Sequence, residues 1–293
     1  MKAFDYMRPS SLEEACRLLG QFNGQAKVLA GGTDLLVQFK QRKMQSKALI
    51  SLRDIPELSF IRLKPDQGIS IGAMTTLSAV ETSKEISQKY PAIVEAASWI
   101  GSVQVRNRAT LGGNLCNAAP SADMAPILIA YSATTGLTNG QKERTVLLED
   151  FFTGPGQTVL ERGELMKEIN LPPPPRSSFG TYVKAYRSKM DIALVGVGIL
   201  AVFEKGKEVC QDLKLVLGAV APTPIRAKES EKRLVGCKLG DELIIKVSQM
   251  ASEEAHPISD VRSTAEYRRT LVKVLIQRAL LAARSWAQKG GNR

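Results

Sequence analysis

The sequence predicts an α+β protein of three parts: a small parallel α/β unit, a mixed-sheet unit, and a three-stranded antiparallel sheet with a helix bundle. Three observations support this. Strand and helix patterns alternate in residues 4–55, which is typical of parallel pairing. A hairpin pattern follows Pro56, which favours antiparallel or mixed pairing. Beyond four consecutive prolines, Pro172 to Pro175, three strand patterns precede three helical ones.

The first predicted unit comprises residues 1–55. A Pro-Ser-Ser start precedes a run of helical spacing, and a short apolar run leads into a Gly-Gly pair. The predicted elements are a helix at 11–19, a strand at 27–30, a helix at 34–42 and a strand at 48–51.

The second predicted unit comprises residues 56–175. Its hairpin turns at a Pro-Asp-Gln-Gly sequence, and an Ala-rich helix follows a second Gly-Gly pair. The predicted elements are strands at 60–63, 68–72, 134–137 and 145–148, and helices at 76–83, 91–100 and 121–132. The four prolines at its end cannot continue a helix or a central strand, so they mark the best boundary in the sequence.

The third predicted unit comprises residues 176–287, with a tail at 288–293. Its middle strand is apolar along much of its length, and its last helix is long with apolar residues at helical spacing. The predicted elements are strands at 179–186, 193–204 and 213–219, and helices at 227–234, 241–256 and 264–287.

The chain carries 40 Lys and Arg residues against 29 Asp and Glu, a formal charge of +11. The basic residues are spread along the chain, and aromatic residues are only 5%, with no RNA-binding aromatic motif. We therefore expect no nucleic-acid partner. A positive surface suits acidic partner subunits or an anionic cofactor instead.

Several classes of chemistry are unsupported by the residue inventory. Cys16, Cys116, Cys210 and Cys237 are scattered without a C-x-x-C pair, which favours reduced thiols over disulfides or a metal site. His256 is the only histidine, so no nucleophile–base triad is available, and we expect no catalytic side chain and no metal ligand. Without a leader-like N-terminus or an apolar run of about 20 residues, we expect a cytoplasmic protein with no membrane insertion.

Two glycine motifs carry the functional signal. The first glycine turn reads Lys-Val-Leu-Ala-Gly-Gly-Thr-Asp-Leu at residues 27–35, where a strand, two glycines and a helix start form a phosphate-binding arrangement. It fits neither the Rossmann nor the P-loop spacing. The second glycine motif, Thr-Leu-Gly-Gly-Asn at 110–114, precedes Ser121 and Asp123 at a helix start and suits an anionic or hydroxyl-rich ligand. Its alternative reading is a tight turn before a capped core helix. Together the two motifs indicate a long ligand with two phosphates.

These residues resemble the FAD-binding subunit of the molybdenum hydroxylases, a family that includes xanthine dehydrogenase and aerobic carbon monoxide dehydrogenase. Ala-Gly-Gly-Thr-Asp-Leu at 30–35 is followed about eighty residues later by Thr-Leu-Gly-Gly-Asn. The resemblance continues through Asp123 and through residues 184–195, 218–226 and 259–269, so it covers nearly the whole chain.

The resemblance implies which residues bind FAD. Residues 30–34 would wrap the pyrophosphate, Asp123 would accept a hydrogen bond from a sugar hydroxyl, and Lys184 would stabilise the reduced flavin ring. The alternatives are a helix-start carboxylate for Asp123, a solvated strand lysine for Lys184 and core packing for Ile100. The implied cofactor-binding residues are Leu29, Ala30, Gly31, Gly32, Thr33, Asp34, Leu35, Ile100, Thr110, Leu111, Gly112, Gly113, Asn114, Asp123, Met166 and Lys184.

The resemblance also implies an oxidoreductase function. The chain would be the electron-transfer subunit of a heteromeric molybdenum hydroxylase, passing electrons from an iron–sulfur subunit through FAD to NAD, oxygen or a quinone. Molybdopterin and 2Fe-2S clusters are expected only in partner subunits, a molybdopterin-binding large subunit and an iron–sulfur subunit. Two alternatives remain: a free-standing FAD-dependent reductase or oxidase, and a non-redox nucleotide-binding regulator.

Overall fold

The computed structural model of the protein describes residues 3–64, 66–204 and 208–291. Pro65 of the predicted hairpin turn, the first two residues of the first predicted unit and the last two residues of the predicted tail lie outside the described residues. The chain packs as two compact units. Unit 1 comprises Met1–Val80, Ser102–Ala118 and Ala133–Pro172, and unit 2 comprises Glu81–Gly101, Ala119–Ser132 and Pro173–Arg293. Each unit is thus built from three separate segments, and the division into three sequential domains stays a prediction.

The strands and helices, numbered in chain order, are as follows. The strands are β1 (Asp5–Met7), β2 (Ala26–Leu29), β3 (Ala48–Ser51), β4 (Ile61–Lys64), β5 (Gly68–Gly72), β6 (Thr134–Thr138), β7 (Glu143–Leu147), β8 (Phe152–Gly154), β9 (Gln157–Thr158), β10 (Leu165–Leu171), β11 (Ser178–Ala185), β12 (Val195–Phe203), β13 (Cys210–Gly218) and β14 (Ile225–Arg226). The helices are α1 (Leu12–Gln21), α2 (Leu35–Lys40), α3 (Leu77–Thr82), α4 (Lys84–Lys89), α5 (Pro91–Ser98), α6 (Val103–Arg106), α7 (Leu111–Cys116), α8 (Met124–Ala130), α9 (Lys228–Leu234), α10 (Asp241–Glu254) and α11 (Ala265–Gln288). Within the described ranges, none of these helices is long and apolar enough to cross a bilayer.

A small parallel sheet opens unit 1, as predicted. Its strand order is β1-β3-β2, and the pairs β1–β3 and β2–β3 are both parallel. The central strand β3 is buried at all four residues, which explains its continuous apolar pattern. The Ser11 side chain caps α1 by accepting a hydrogen bond from the N–H of Glu14 at 3.1 Å, and α1 packs Leu12, Ala15 and Cys16 into the core around β3.

The second sheet of unit 1 has the order β4-β5-β10-β6-β7. All of its neighbouring strands pair antiparallel, which is one of the two kinds of pairing, antiparallel or mixed, that the hairpin pattern favoured. The reason is topological: β4–β5 and β6–β7 are hairpins, and β10 returns between them, antiparallel to both neighbours. The sheet supplies Leu165 of β10 to the core that α1 and β3 share.

Unit 2 contains the C-terminal sheet, whose order is β11-β12-β13-β14. It has four strands rather than the predicted three, because Ile225–Arg226 pairs with β13 over two residues, too short a stretch to show a period-two pattern. Alternate residues of β12, from Val195 to Phe203, pack into a core with α9, α10 and α11. The intervening residues include Gly196 and Gly198 on the opposite face of the strand.

Glycine on that opposite face lets α8 lie directly on the sheet. A Cβ on Gly198 would lie 2.8 Å from the carbonyl carbon of Pro126 in α8, and a Cβ on Gly218 of β13 would lie 2.8 Å from the Pro126 ring. Real Cβ atoms do not approach backbone so closely. The sheet of unit 2 is therefore covered on both faces, and glycine sets the spacing on the α8 side.

Replacing Gly198 with Ala tests this packing. We expect Gly198→Ala to lower the free energy of unfolding by about 1–3 kcal/mol, because α8 must move away from the sheet. The matched control is Gly20→Ala in α1, where a Cβ meets nothing within 4 Å, and no loss of stability is expected, because Ala is favoured over Gly in a helix. Denaturant unfolding measures both, and equal effects of the two substitutions would contradict the proposed contact.

Candidate functional site

The first glycine turn lies in unit 1 between the end of β2 at Leu29 and the start of α2 at Leu35. Gly32 has a φ of +77°, a left-handed conformation that favours glycine. Among the described residues, none from Gly31 to Leu35 donates its backbone N–H to a protein acceptor. The turn therefore presents several backbone donors that a ligand can use.

The second glycine motif is not the tight turn of the alternative reading, because Gly112 and Gly113 lie within α7. Its backbone donors are already used. The N–H of Leu111 donates to Thr75 O at 2.9 Å, that of Gly112 to Ala73 O at 2.8 Å, and that of Gly113 to the Thr110 side chain at 3.0 Å. Backbone contacts from these amides to a phosphate would require those hydrogen bonds to break.

Gly112 has a packing reason to be glycine. A Cβ at this position would lie 2.6 Å from the Cβ of Ala73 and 2.7 Å from its carbonyl oxygen. The residue is buried, and α7 rests directly on the segment that follows β5. The close approach expected of the glycine pair is therefore present, but at Gly112 it is an approach of protein to protein.

The two glycine motifs lie against each other. A Cβ on Gly31 would overlap the carbonyl oxygen of Arg108 and lie 2.9 Å from the Cα of Ala109, just before the second motif. A Cβ on Gly113 would lie 3.5 Å from the Cβ of Ala30. Residues about eighty positions apart in the sequence therefore form one surface of unit 1.

Asn114 adds an unsatisfied acceptor to this surface. Its Oδ1 atom is buried and has no hydrogen-bond partner among the described residues, although its backbone N–H donates to Thr110 O at 2.9 Å. A buried polar atom without a partner is costly, and most such atoms in native proteins are satisfied by a ligand, an ion or water. Free backbone donors together with a buried acceptor fit a ligand that carries phosphate and hydroxyl groups, as FAD does.

Unit 2 contains a separate buried polar cluster around Asp123. Its Oδ1 accepts a hydrogen bond from the hydroxyl of Tyr182 at 2.6 Å, and its Oδ2 accepts one from the Nζ of Lys184 at 2.9 Å. Lys184 also donates to the carbonyl oxygen of Trp99 at 3.3 Å. The side chains of Lys184 and Asp123 are only 1% and 7% exposed, so this is a buried ion pair and not a solvated strand lysine.

Burial dominates the electrostatics of the cluster. It raises the pKa of Asp123, while the charge of Lys184 and the hydrogen bonds from Tyr182 and Lys184 oppose that rise. Burial also raises the pKa of Tyr182 well above its ordinary value, and the neighbouring carboxylate adds to the effect. Tyr182 therefore stays a neutral donor, and Lys184 supplies the charge that compensates the carboxylate.

Tyr182 is a member of this cluster that the functional reading of the sequence did not include. Its signal was the strand period, since residues 182 and 184 of β11 point to the same face. A second support comes from Glu95, whose carboxylate accepts from the Thr181 hydroxyl at 2.9 Å and from the Tyr182 N–H at 3.1 Å. Glu95 thus attaches α5 to β11 beside the ion pair.

The predicted cofactor-binding residues are distributed over both units. Leu29 to Leu35, Thr110 to Asn114 and Met166 belong to unit 1, whereas Ile100, Asp123 and Lys184 belong to unit 2. Met166 is buried in β10 opposite Leu137 of β6. Within each unit the structure brings together the residues described above, and the assignment of each residue to FAD stays a prediction.

The cysteines are free thiols in the described chain. Burial raises the pKa of Cys116, beside the second glycine motif, to about 12, so its thiol is protonated at neutral pH. Cys210 and Cys237 are neighbours in space, because the N–H of Cys210 donates to Cys237 O at 2.9 Å. The described residues contain no group of three or more His, Cys, Asp or Glu side chains placed to hold a metal ion.

Comparison with known proteins finds related sequences over nearly the whole chain. Residues 2–174 match the family described as the FAD binding domain in molybdopterin dehydrogenase, and residues 180–283 match the carbon monoxide dehydrogenase flavoprotein C-terminal domain. The chain is 36% identical to the glyceraldehyde dehydrogenase medium chain of Sulfolobus acidocaldarius, over 94% of this chain and 96% of that one. It is 33% identical to the xanthine dehydrogenase FAD-binding subunit of Escherichia coli O157:H7, over 95% and 96% of the two chains.

Solved structures agree. A carbon monoxide dehydrogenase chain from Hydrogenophaga pseudoflava, crystallised without the Mo-pyranopterin moiety, superimposes with a TM-score of 0.93 at 34% identity, covering 98% of both chains. A chain of quinoline 2-oxidoreductase from Pseudomonas putida 86 gives 0.91 at 29% identity, covering 98% of this chain and 99% of that one. The protein therefore belongs to the FAD-binding flavoprotein subunits of the molybdenum hydroxylases, an oxidoreductase family.

Proposed function

We propose that this chain transfers electrons within a heteromeric molybdenum hydroxylase. In this proposal an iron–sulfur subunit and a molybdopterin-binding large subunit are its partners. Electrons from the iron–sulfur clusters reach FAD on this chain and leave to NAD, oxygen or a quinone. Support for such partners comes from relatives named as medium chains or subunits of larger dehydrogenases.

The observation that carries the cofactor assignment is the surface where the two glycine motifs meet. It combines unused backbone donors from Gly31 to Leu35 with the unpartnered Oδ1 of Asn114. FAD, when bound, supplies a centre that accepts and releases electrons singly or in pairs. The N–H groups of the first glycine turn would hold its pyrophosphate, and Asn114 would accept a hydrogen bond from one of its donor groups.

Asp123 and Lys184 would act on the cofactor together, as an ion pair. Lys184 places a positive charge in a buried setting, where charge acts more strongly than in water. A cation near the flavin ring stabilises added negative charge and so raises the reduction potential. Asp123 and the Trp99 carbonyl oxygen hold the Lys184 Nζ in place, and Tyr182 fixes the orientation of Asp123.

Removal of the Asn114 amide tests the cofactor assignment. We expect Asn114→Ala to weaken FAD binding about tenfold or more, because a buried hydrogen bond to the ligand is lost. The free energy of unfolding of the FAD-free protein should change little, since Oδ1 has no protein partner to lose. Titration of the FAD-free protein with FAD, followed by flavin fluorescence, measures the affinity.

The matched control is Asn117→Ala, at the C-terminal end of the same helix. It should bind FAD as the wild type does. Equal FAD affinity in Asn114→Ala and the wild type would contradict the role given to Asn114.

The buried ion pair can be tested by comparing a single variant at Lys184 with a double variant at Asp123 and Lys184. Lys184→Met leaves the Asp123 carboxylate unpaired and should lower the free energy of unfolding by about 3–5 kcal/mol. The double variant Asp123→Asn with Lys184→Met should recover most of that loss, because no buried charge remains. In the recovered double variant the reduction potential of bound FAD should lie below that of the wild type, whereas Lys184→Arg should keep it close. If the reduction potential of FAD in the double variant equals that of the wild type, Lys184 does not act on the flavin.

The complex itself distinguishes this proposal from its alternatives. Purified through a tag on this chain from its native cells, the protein should carry FAD that is bleached by reductant, together with a larger and a smaller subunit. A flavin-containing protein without partners would indicate the free-standing reductase or oxidase. A colourless protein that stays colourless after incubation with FAD would indicate the nucleotide-binding regulator.

A further inference from the structure

Two loops of unit 2 carry an unusual concentration of exposed apolar side chains. One joins β11 to β12 and spans residues 186–192; the other runs from α10 into the first turn of α11 and spans residues 258–267. Of the fourteen large hydrophobic side chains that are exposed among the described residues, six lie in these two short segments. We name these six the apolar loop patch: Tyr186, Met190, Ile192, Ile258, Val261 and Tyr267.

The most exposed members of the patch contribute little to the fold. Val261 is 95% exposed, Ile258 is 70% exposed and Met190 is 67% exposed. Single exposed apolar residues are ordinary in soluble proteins, but a group of them commonly marks an interaction surface. The concentration in two loops is therefore the feature that requires an explanation.

The loop that carries Val261 contains a network of hydrogen bonds around Asp260. The Asp260 carboxylate accepts hydrogen bonds from the N–H of Arg262 at 2.9 Å, from the N–H of Ser263 at 3.1 Å and from the guanidinium of Arg268 at 2.9 Å. These contacts, the Arg262 N–H foremost, lower the pKa of Asp260 to about 2. Ordering such a loop before binding removes an entropic cost from association. The structure thus presents Val261 to solvent on a loop that is hydrogen-bonded on both sides of Asp260.

Arg268 links the bases of the two loops. Its side chain is buried, and besides Asp260 it donates to Leu194 O at 2.7 Å and to Ala219 O at 3.3 Å. The N–H of Leu194 in turn donates to Ala185 O at 2.9 Å, which closes the base of the loop at 186–192. One buried guanidinium therefore contacts the loop at 258–267 and the residue Leu194 that follows the loop at 186–192.

The charges around the patch favour an acidic partner. Asp191 is paired with Arg187, and Asp260 is paired with Arg262 and Arg268. Two basic side chains, Lys189 and Arg269, are exposed and make no ion pair with a described residue. Only one acidic side chain of these loops, Glu266, is exposed and unpaired among the described residues. The excess is positive, in line with the formal charge of +11 for the whole chain.

The patch is continuous with the buried cluster of unit 2. Tyr186 lies two residues beyond Lys184 in the chain, and its ring contacts Trp99 with a centroid separation of 5.3 Å. Trp99 is the residue whose carbonyl oxygen accepts from Lys184. A partner docked on the patch would therefore lie next to the side chains assigned to the flavin ring. The partner that benefits from this position is the one that delivers electrons.

We propose that the apolar loop patch is the docking surface for the iron–sulfur subunit, whose matching face is apolar at its centre and acidic at its rim. The inference rests on the proposed function, because it needs a heteromeric complex. It goes further by assigning one partner to one surface. The hydrogen-bonded loop at 258–267 supplies the apolar contact, and Lys189 and Arg269 supply the attraction to acidic side chains.

The test uses the complex purified through a tag on this chain from its native cells. Val261→Asp places a negative charge at the most exposed member of the patch, and Ile245→Asp, at an exposed residue of α10, is the matched control. The iron–sulfur subunit is recognised by its iron and acid-labile sulfide. We expect Val261→Asp to reduce the copurified iron–sulfur subunit at least tenfold with FAD content unchanged, and Ile245→Asp to have no effect.

Each outcome separates the two proposals. If Val261→Asp retains the iron–sulfur subunit as well as Ile245→Asp does, the docking surface is wrong while the electron-transfer function stands. If the wild type itself copurifies with no iron–sulfur subunit, the proposed function fails and the docking proposal fails with it. A photo-crosslinking residue at position 261 should link to the iron–sulfur subunit; linkage to the large subunit or to a second copy of this chain would overturn the assignment.

Discussion

The contact between the two glycine motifs is the constraint on which the candidate site in unit 1 depends. Gly31 lies so close to the backbone of Arg108 and Ala109 that any Cβ would overlap it. The segment before α2 and the segment before α7 can therefore share one surface only if residue 31 has no side chain. Gly112, inside α7, likewise lies too close to Ala73 to carry a Cβ. Because these two positions carry no side chain, α7 can lie close to the first glycine turn, and Asn114 lies beside that turn as a result.

The two glycine motifs differ in how their backbone donors are used. The first glycine turn keeps its backbone donors free, whereas the second gives its own to Ala73, Thr75 and Thr110. What the second motif offers is the buried Oδ1 of Asn114. In unit 2 the pattern is the reverse, because Asp123, Tyr182 and Lys184 satisfy one another almost entirely. One site is thus left incomplete by the protein, and the other is a preorganised charge pair.

The sequence was informative where a period or a backbone requirement leaves a clear pattern. The strand β3 was predicted with its observed bounds, and α1, α10 and α11 with small errors at their ends, because apolar spacing defines them. It was less informative where tertiary contact decides. The placement of Gly112 and Gly113 inside a helix depends on Ala73, the fourth strand depends on β13, and the pairing of Asp123 with Tyr182 joins residues far apart. The exposure of Val261 has no signature in an isolated sequence at all.

Hydrogen–deuterium exchange with and without FAD tests the central claim most directly. If the free backbone donors of the first glycine turn hold the cofactor, the amides from Gly31 to Leu35 should exchange rapidly in the FAD-free protein and become protected when FAD binds. The amides of Leu111 to Asn114, which are already bonded to protein acceptors, should change much less. New protection confined to residues 111–114, with none at 31–35, would contradict the account.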